Sequence, residues 1–272
     1  MQPEPDPLSP PPDHLPMDRL SRIPLRYLLP NLITLLALCS GVTAIRMGLE
    51  GRYQLAVSAV ILAIVLDAVD GRLARYLKGT SRFGAELDSL ADFVNFGVAP
   101  AILIYFWALN HLRTIGWIAA LMLSIGCALR LARFNVMLDD PRKPAWAVGF
   151  FTGIPAPAGA GLAMVPFYMG FLGLIDDGHR FAWIIAPYIM LVAFLMVSRV
   201  PTFSGKSAAS AVPRENYLPV LAAAALAIVC LVAFPWTTLL IIWGGYLCLL
   251  PFSIRRHHQL KARDAAAPHP AA

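Results

Sequence analysis

LDAVDGRLARYLKGTSRFGAELDSLAD, residues 66–92, decides how the rest of the chain is read. Four aspartates, Asp67, Asp70, Asp88 and Asp92, stand in it at helical spacings of three and four, in a protein otherwise dominated by apolar residues. An α-helix turns once per about 3.6 residues, so Asp67, Asp70, Gly71 and Ala74 fall on one face of a segment predicted to end near Leu77. Gly84, Asp88 and Asp92 share a face of the next segment. Each segment therefore carries a narrow stripe of carboxylates with a glycine one turn away. If the stripes face each other, four carboxylates surround one volume, and their repulsion is relieved by divalent cations. Hard oxygen donors favour two ions of Mg²⁺ or Mn²⁺. Capping helices, or pairing with Arg72, Arg75, Lys78 and Arg82 at a membrane surface, accounts for any two of these acids. Four in register between apolar runs need another reason, because an intramembrane carboxylate costs about 2.5–3.5 kcal/mol on insertion scales.

Those apolar runs set the fold class. With hydrophobic residues at 58% and charged residues at 14%, the chain reads as an all-α integral membrane protein. Against a requirement of about 20 residues per crossing, spanning runs appear at 30–48, 53–77, 83–108, 114–137, 153–175, 181–200, 217–234 and 236–254. The expectation is a bundle of about eight transmembrane helices with a cytosol-facing active-site cavity. Only Phe234-Pro235 divides the last two runs, which leaves a tight hairpin or one kinked element. Residues 1–29 form a polar, proline-rich cytosolic arm, 30–206 the membrane core of about six helices, 207–254 two further helices, and 255–272 a basic cytosolic tail. No apolar core for a cleavable signal precedes the first run, which is expected to act as a signal-anchor.

Basic residues orient the bundle. Of the 22 lysines and arginines, all but Arg46, Arg52, Arg113 and Arg180 fall in the arm, in alternate loops or in the tail. By the positive-inside rule, both termini and the carboxylate-bearing loop face the cytoplasm, in an expected bacterial inner membrane. The basic residues are dispersed between loops, so the net charge of +6 does not point to nucleic acid. Cys39, Cys127, Cys230 and Cys248 lie in apolar runs without a CxxC pair and are read as packing residues. His257 and His258 lack further clustered ligands, so a metal site there is not expected.

Asp67-x-x-Asp70-Gly71-x-x-Ala74-Arg75, eight further residues, then Gly84-x-x-x-Asp88-x-x-x-Asp92, matches the signature of the CDP-alcohol phosphotransferases without a departure. The chain resembles that family at eight specified positions over 26 residues. The resemblance implies an enzyme that binds CDP linked to a lipid or alcohol, with Asp67, Asp70 and Asp88 as metal ligands. Asp92 would be both a ligand and the base that takes the proton of the incoming hydroxyl. It implies nucleotide contacts at Asn31 and Thr34 in PNLIT, and a diphosphate contact at Ser81. Read from the residues alone, Asn31 serves equally well as the N-cap of the first helix. Gly71 and Gly84 would let a nucleotide approach closely, although close helix packing explains single glycines as well, and Arg75 would reach a diphosphate. Relatives of this kind form homodimers, and one is expected here by analogy.

Other polar stretches must select the acceptor alcohol. Arg130 and Arg133, in CALRLARFN, suit an anionic group or anchor the helix at the membrane surface. GIPAPAGAG, residues 153–161, reads as a helix entry whose small residues admit a neighbour. SRVPTFSGK, residues 198–206, ends a membrane helix in a loop where Lys206 contacts phosphate or is merely solvated. Together these stretches resemble the membrane-bound phosphatidylserine synthases of the family. That likeness implies transfer of the phosphatidyl group from CDP-diacylglycerol to L-serine, with the serine carboxylate on Arg130 or Arg133. Glycerol phosphate or inositol phosphate as acceptor is the rival within the class. A cation transporter is the rival outside it, but leaves Gly71, Arg75 and Gly84 without a role and expects acids at the midplane rather than near helix ends.

Overall fold

In the computed structural model, residues 25–138, 150–203 and 217–266 are described. The segment that carries the first aspartates is helix α2 (Tyr53–Tyr76), preceded by α1 (Leu25–Leu49). The second pair lies on α3 (Arg82–Asp92), which runs through a π-helical segment (Phe93–Val98) into α4 (Ala99–Trp107). Then follow α5 (Thr114–Leu138), strand β1 (Phe150–Thr152), α6 (Ala156–Ala163), α7 (Val165–Phe171), α8 (Ala182–Val197), strand β2 (Pro201–Phe203), α9 (Tyr217–Ala233) and α10 (Pro235–Ala266).

Five helical stretches are long and apolar enough to cross a membrane: Leu28–Leu49, Tyr53–Tyr76, Arg82–Trp107, Thr114–Met137 and Pro235–Arg255. The architecture is that of an all-helical integral membrane protein. The three remaining apolar runs differ from simple spans. The run expected over 153–175 breaks at Met164, where Pro166 withholds a backbone donor, into helices of eight and seven residues. Ala182–Val197 and Leu218–Ala233 are shorter apolar helices.

The last two runs are separate helices. Pro235 occupies the first position of α10, where its missing N–H has no helical partner to lose. The chain bends there sharply enough for the Thr238 hydroxyl to donate to the Cys230 carbonyl at 2.9 Å. Beyond the membrane-length stretch, α10 continues as helix through the basic residues to Ala266. The arm up to residue 24, Arg142, Lys143 and Lys206 lie outside the described residues, and so do the side chains of His257 and His258.

A small β ribbon departs from the all-helical expectation. Phe150, Phe151 and Thr152 pair antiparallel with Phe203, Thr202 and Pro201. Gly153, at φ 78°, turns the chain out of β1, and Pro201 opens β2 at the one strand position that needs no donor. Thr202 donates its hydroxyl to the Gly153 carbonyl at 2.9 Å and locks the ribbon.

Alanine and glycine faces allow the helices to pack closely, α1 against α2 and α5 against α8. Phe96, Leu103, Ile104, Leu123, Phe167 and Met196 fill the interior. Leu36, Leu62, Trp183 and Phe194 face outward, the distribution expected of a bundle solvated by lipid. Only one cysteine packs as expected: Cys127 is buried, Cys230 partly so, and Cys39 and Cys248 are exposed on outward helix faces.

Candidate active site

Asp67 and Asp70 sit in the last three turns of α2, and Asp88 and Asp92 in the second half of α3, so both pairs lie toward the same end of the bundle. α1 packs against both helices and against the π-helical segment, which fixes how the acidic faces meet. One carboxylate oxygen from each of Asp67, Asp70 and Asp88 falls within 4.8 Å of the others. Asp92 reaches Asp67 at hydrogen-bonding range. The two stripes therefore converge on one volume.

Three carboxylates at that separation could hold a metal ion, and one oxygen shows why an ion fits. Asp70 is 3% exposed and its Oδ1 is buried without a hydrogen-bond partner. Its other oxygen, Oδ2, accepts the Thr34 hydroxyl at 2.7 Å. A carboxylate oriented on one side and bare on the other is arranged as a ligand with an outer-shell partner. Hard oxygens suit divalent cations.

Around the acids, Arg75 Nη1 lies 3.7 Å from where a Cβ on Gly71 would stand, with no other side chain near that point. Gly71 is thus open space beneath a guanidinium. Gly84 is different. A Cβ there would come within 2.8 Å of Asn31 Oδ1 and 3.1 Å of Ser81 Oγ, so Gly84 is what lets Asn31 and Ser81 close on α3. Ser81 is the N-cap of α3, accepting from the Gly84 N–H at 3.0 Å. Asn31 is not a helix cap. α1 begins at Leu25 and carries Pro30 inside it, in its second turn, at the loss of one backbone hydrogen bond.

The two acceptor candidates on α5 separate. Arg133 Nη1 donates to the carbonyls of Val197 at 2.6 Å and Ser198 at 3.4 Å, closing the C-terminus of α8. Arg130 is 8% exposed and lies close enough to Asp67 and Asp92 for their charges to act on it. Three residues that sequence reasoning passed over join the neighbourhood. Asn135 donates to Ser89 Oγ at 3.0 Å and ties α5 to α3 beside Asp88. Asn95, one turn past Asp92 on the π-helical segment, is wholly buried with both amide atoms unpartnered. Tyr246 arrives from α10, with its hydroxyl buried. Only the unusual placement of polar residues in apolar runs could have drawn attention to them.

A sequence model of the family described as CDP-alcohol phosphatidyltransferase matches residues 27–198, from the start of α1 to the end of α8. The chain belongs to this family. It is an enzyme of the CDP-alcohol phosphotransferase class. A Mycobacterium leprae protein named CDP-diacylglycerol–serine O-phosphatidyltransferase is 37% identical over 246 residues, covering 88% of this chain and 78% of the relative. A Helicobacter pylori protein of the same name is 36% identical over 186 residues, covering 65% and 73%. An archaetidylserine synthase of Methanothermobacter thermautotrophicus is 34% identical over 192 residues, covering 67% and 73%.

Proposed function

We propose that this enzyme transfers the phosphatidyl group of CDP-diacylglycerol to the hydroxyl of L-serine, releasing CMP. The observation that carries the reading is the meeting of both acidic stripes beside a buried arginine, in a chain whose relatives over most of its length are named for serine. Asp67, Asp70 and Asp88, with Asp92, are the ligands proposed for two ions of Mg²⁺ or Mn²⁺; the bare Oδ1 of Asp70 supports this. When bound, such ions polarise the diphosphate and neutralise charge on the leaving group.

The remaining work falls to side chains. Arg75 holds the diphosphate above Gly71, with Asn31, Thr34, Ser81 and Gly84 lining the nucleotide end. Asp92 accepts the proton of the serine hydroxyl while that oxygen forms its bond to the phosphorus bearing diacylglycerol. The bond from that phosphorus to the bridging oxygen breaks, and CMP departs with the electron pair. Arg130 takes the serine carboxylate; its burial beside the acidic cluster supports this. Arg133 already serves α8, which leaves it fewer donors for substrate.

The setting follows the same reading: eight crossings, a cavity open to the cytosol, both termini inside the cytoplasmic membrane, a core over 30–206 with two added helices, and a homodimer. The loop charges support the orientation, and the outward apolar faces of α9 support its place in lipid. The deciding experiment offers purified enzyme CDP-diacylglycerol with L-serine, glycerol 3-phosphate or inositol phosphate and measures CMP. Serine alone should support divalent-ion-dependent release. Release with inositol phosphate or glycerol 3-phosphate but not with serine overturns the reading.

A further inference from the structure

One face of α1 meets the acidic helices at successive levels. Asn31 stands against Gly84 of α3, and Thr34 donates to Asp70 of α2. Two turns beyond Thr34 on the same face is Gly41, which lies against Asn95. A Cβ on Gly41 would overlap Asn95 Oδ1 and come within 3.0 Å of its Cγ and 3.2 Å of its Cα, so the glycine is what admits the amide. Asn95 is 0% exposed, and neither its Oδ1 nor its Nδ2 has a hydrogen-bond partner. A buried amide left unpaired destabilises a fold, and its presence needs a reason. Packing supplies none, because an apolar side chain of the same shape would fill the space without that penalty.

The place of Asn95 in the chain supplies one. Asp92 (φ −56°, ψ −44°) and Phe93 (φ −60°, ψ −43°) have helical backbone angles, so the path from Asp92 to Asn95 is one continuous turn. Residues three apart on such a path are neighbours. The path is π-helical over Phe93–Val98, a form that occurs mostly as single-turn bulges and frequently at functional sites. It is held from both flanks, by Gly41 of α1 and by Ser124 of α5, whose hydroxyl donates to the Gly97 carbonyl at 3.2 Å.

Asp70 and Asp92 differ in what steadies them. Asp70 has the Thr34 hydroxyl, whereas Asp92 has Asp67, another acid. Two ionised carboxylates have no proton to share, so Asp67 cannot steady Asp92 once both turn toward cations. We propose that Asn95 is the outer-shell partner of Asp92, its Nδ2 donating to that carboxylate as the Thr34 hydroxyl donates to Asp70. This rests on the metal-ligand reading of Asp92 above. With Asp92 turned to Asp67 the bond is not made; it forms when the carboxylate turns to the ions. Asn95 is thus a positioning residue, which touches neither substrate nor ion and acts by holding Asp92 in one orientation.

Asn95→Leu, of nearly the same shape, and Asn95→Ala, which only removes atoms, test it in the full chain without substrate. The amide makes no bond within the protein, so Asn95→Leu should keep or raise the melting temperature measured without divalent ions. Loss of an outer-shell partner typically weakens metal binding about 10–100-fold, and the Mn²⁺ Kd read by electron paramagnetic resonance should rise by that factor in both variants. Mn²⁺ binding as tight as in the unaltered enzyme overturns the proposal. So does a lowered melting temperature without ions in both variants, which would mark Asn95 as a packing residue. If the unaltered enzyme itself binds no Mn²⁺, the metal reading falls and the proposal falls with it.

Discussion

The hydroxyl of Thr34 donates to Asp70 Oδ2 at 2.7 Å, joining α1 to the acidic face of α2. The same proton is shared with the Pro30 carbonyl one turn back, at 3.1 Å, so the two acceptors together hold the threonine rotamer. Thr34 therefore orients an aspartate whose other oxygen is bare, a positioning role distinct from the nucleotide contact expected from sequence. Thr34→Val keeps the shape and removes the bond. Loss of such an outer-shell partner typically lowers metal affinity or activity about 10–100-fold. A Mn²⁺ titration of the purified variant should show a weakened ion Kd, and Thr34→Ser should restore it.

Asp92 stands where α3 passes into the π-helical segment and faces Asp67 across the volume. Asp92→Asn preserves shape and should leave the protein folded. If Asp92 is the base, CMP release should fall by about 10²–10⁴-fold. Retained turnover, with the melting temperature unchanged, would remove it from that role.

The two signature glycines should fail differently. A methyl group on Gly84 would meet Asn31 Oδ1 at 2.8 Å, so Gly84→Ala should lower the melting temperature as Asn31 and the Ser81 cap are displaced. Overpacking of this kind costs about 1–3 kcal/mol. On Gly71 the methyl meets only the movable tip of Arg75. Gly71→Ala should therefore keep wild-type stability while raising the KM for CDP-diacylglycerol. Thermal denaturation paired with kinetics separates the two.

Arg133 and Arg130 should also separate. Arg133→Ala strips two carbonyls at the end of α8 of a charged donor, a loss of about 1.5–3 kcal/mol that thermal denaturation will register. Arg130→Lys keeps a charge but loses the planar fork, and should raise the serine KM with a smaller change in stability. A large serine effect confined to Arg133 would reverse this assignment.

The acidic stripes, the membrane class and the family were legible in residues 66–92 and in the apolar runs around them, because helical spacing and burial cost are local properties of sequence. Even the end of α2 falls where it was expected, at Tyr76 against Leu77. The broken helix at Met164, the β ribbon and the early start of α1 were not legible. Each turns on a backbone choice, a proline near a helix start or two short extended segments finding each other, that periodicity does not encode.

What the sequence determined by itself is which side chains can share a helical face, and hence that four carboxylates lie in two stripes. Only the tertiary structure decided that the stripes converge and that Thr34 grips Asp70. It alone set apart Arg133, tied to α8, from Arg130, which is buried with its Nε unpartnered. The reason is physical: spacing along one helix fixes direction relative to that helix alone, while contact between helices depends on where small residues let them approach.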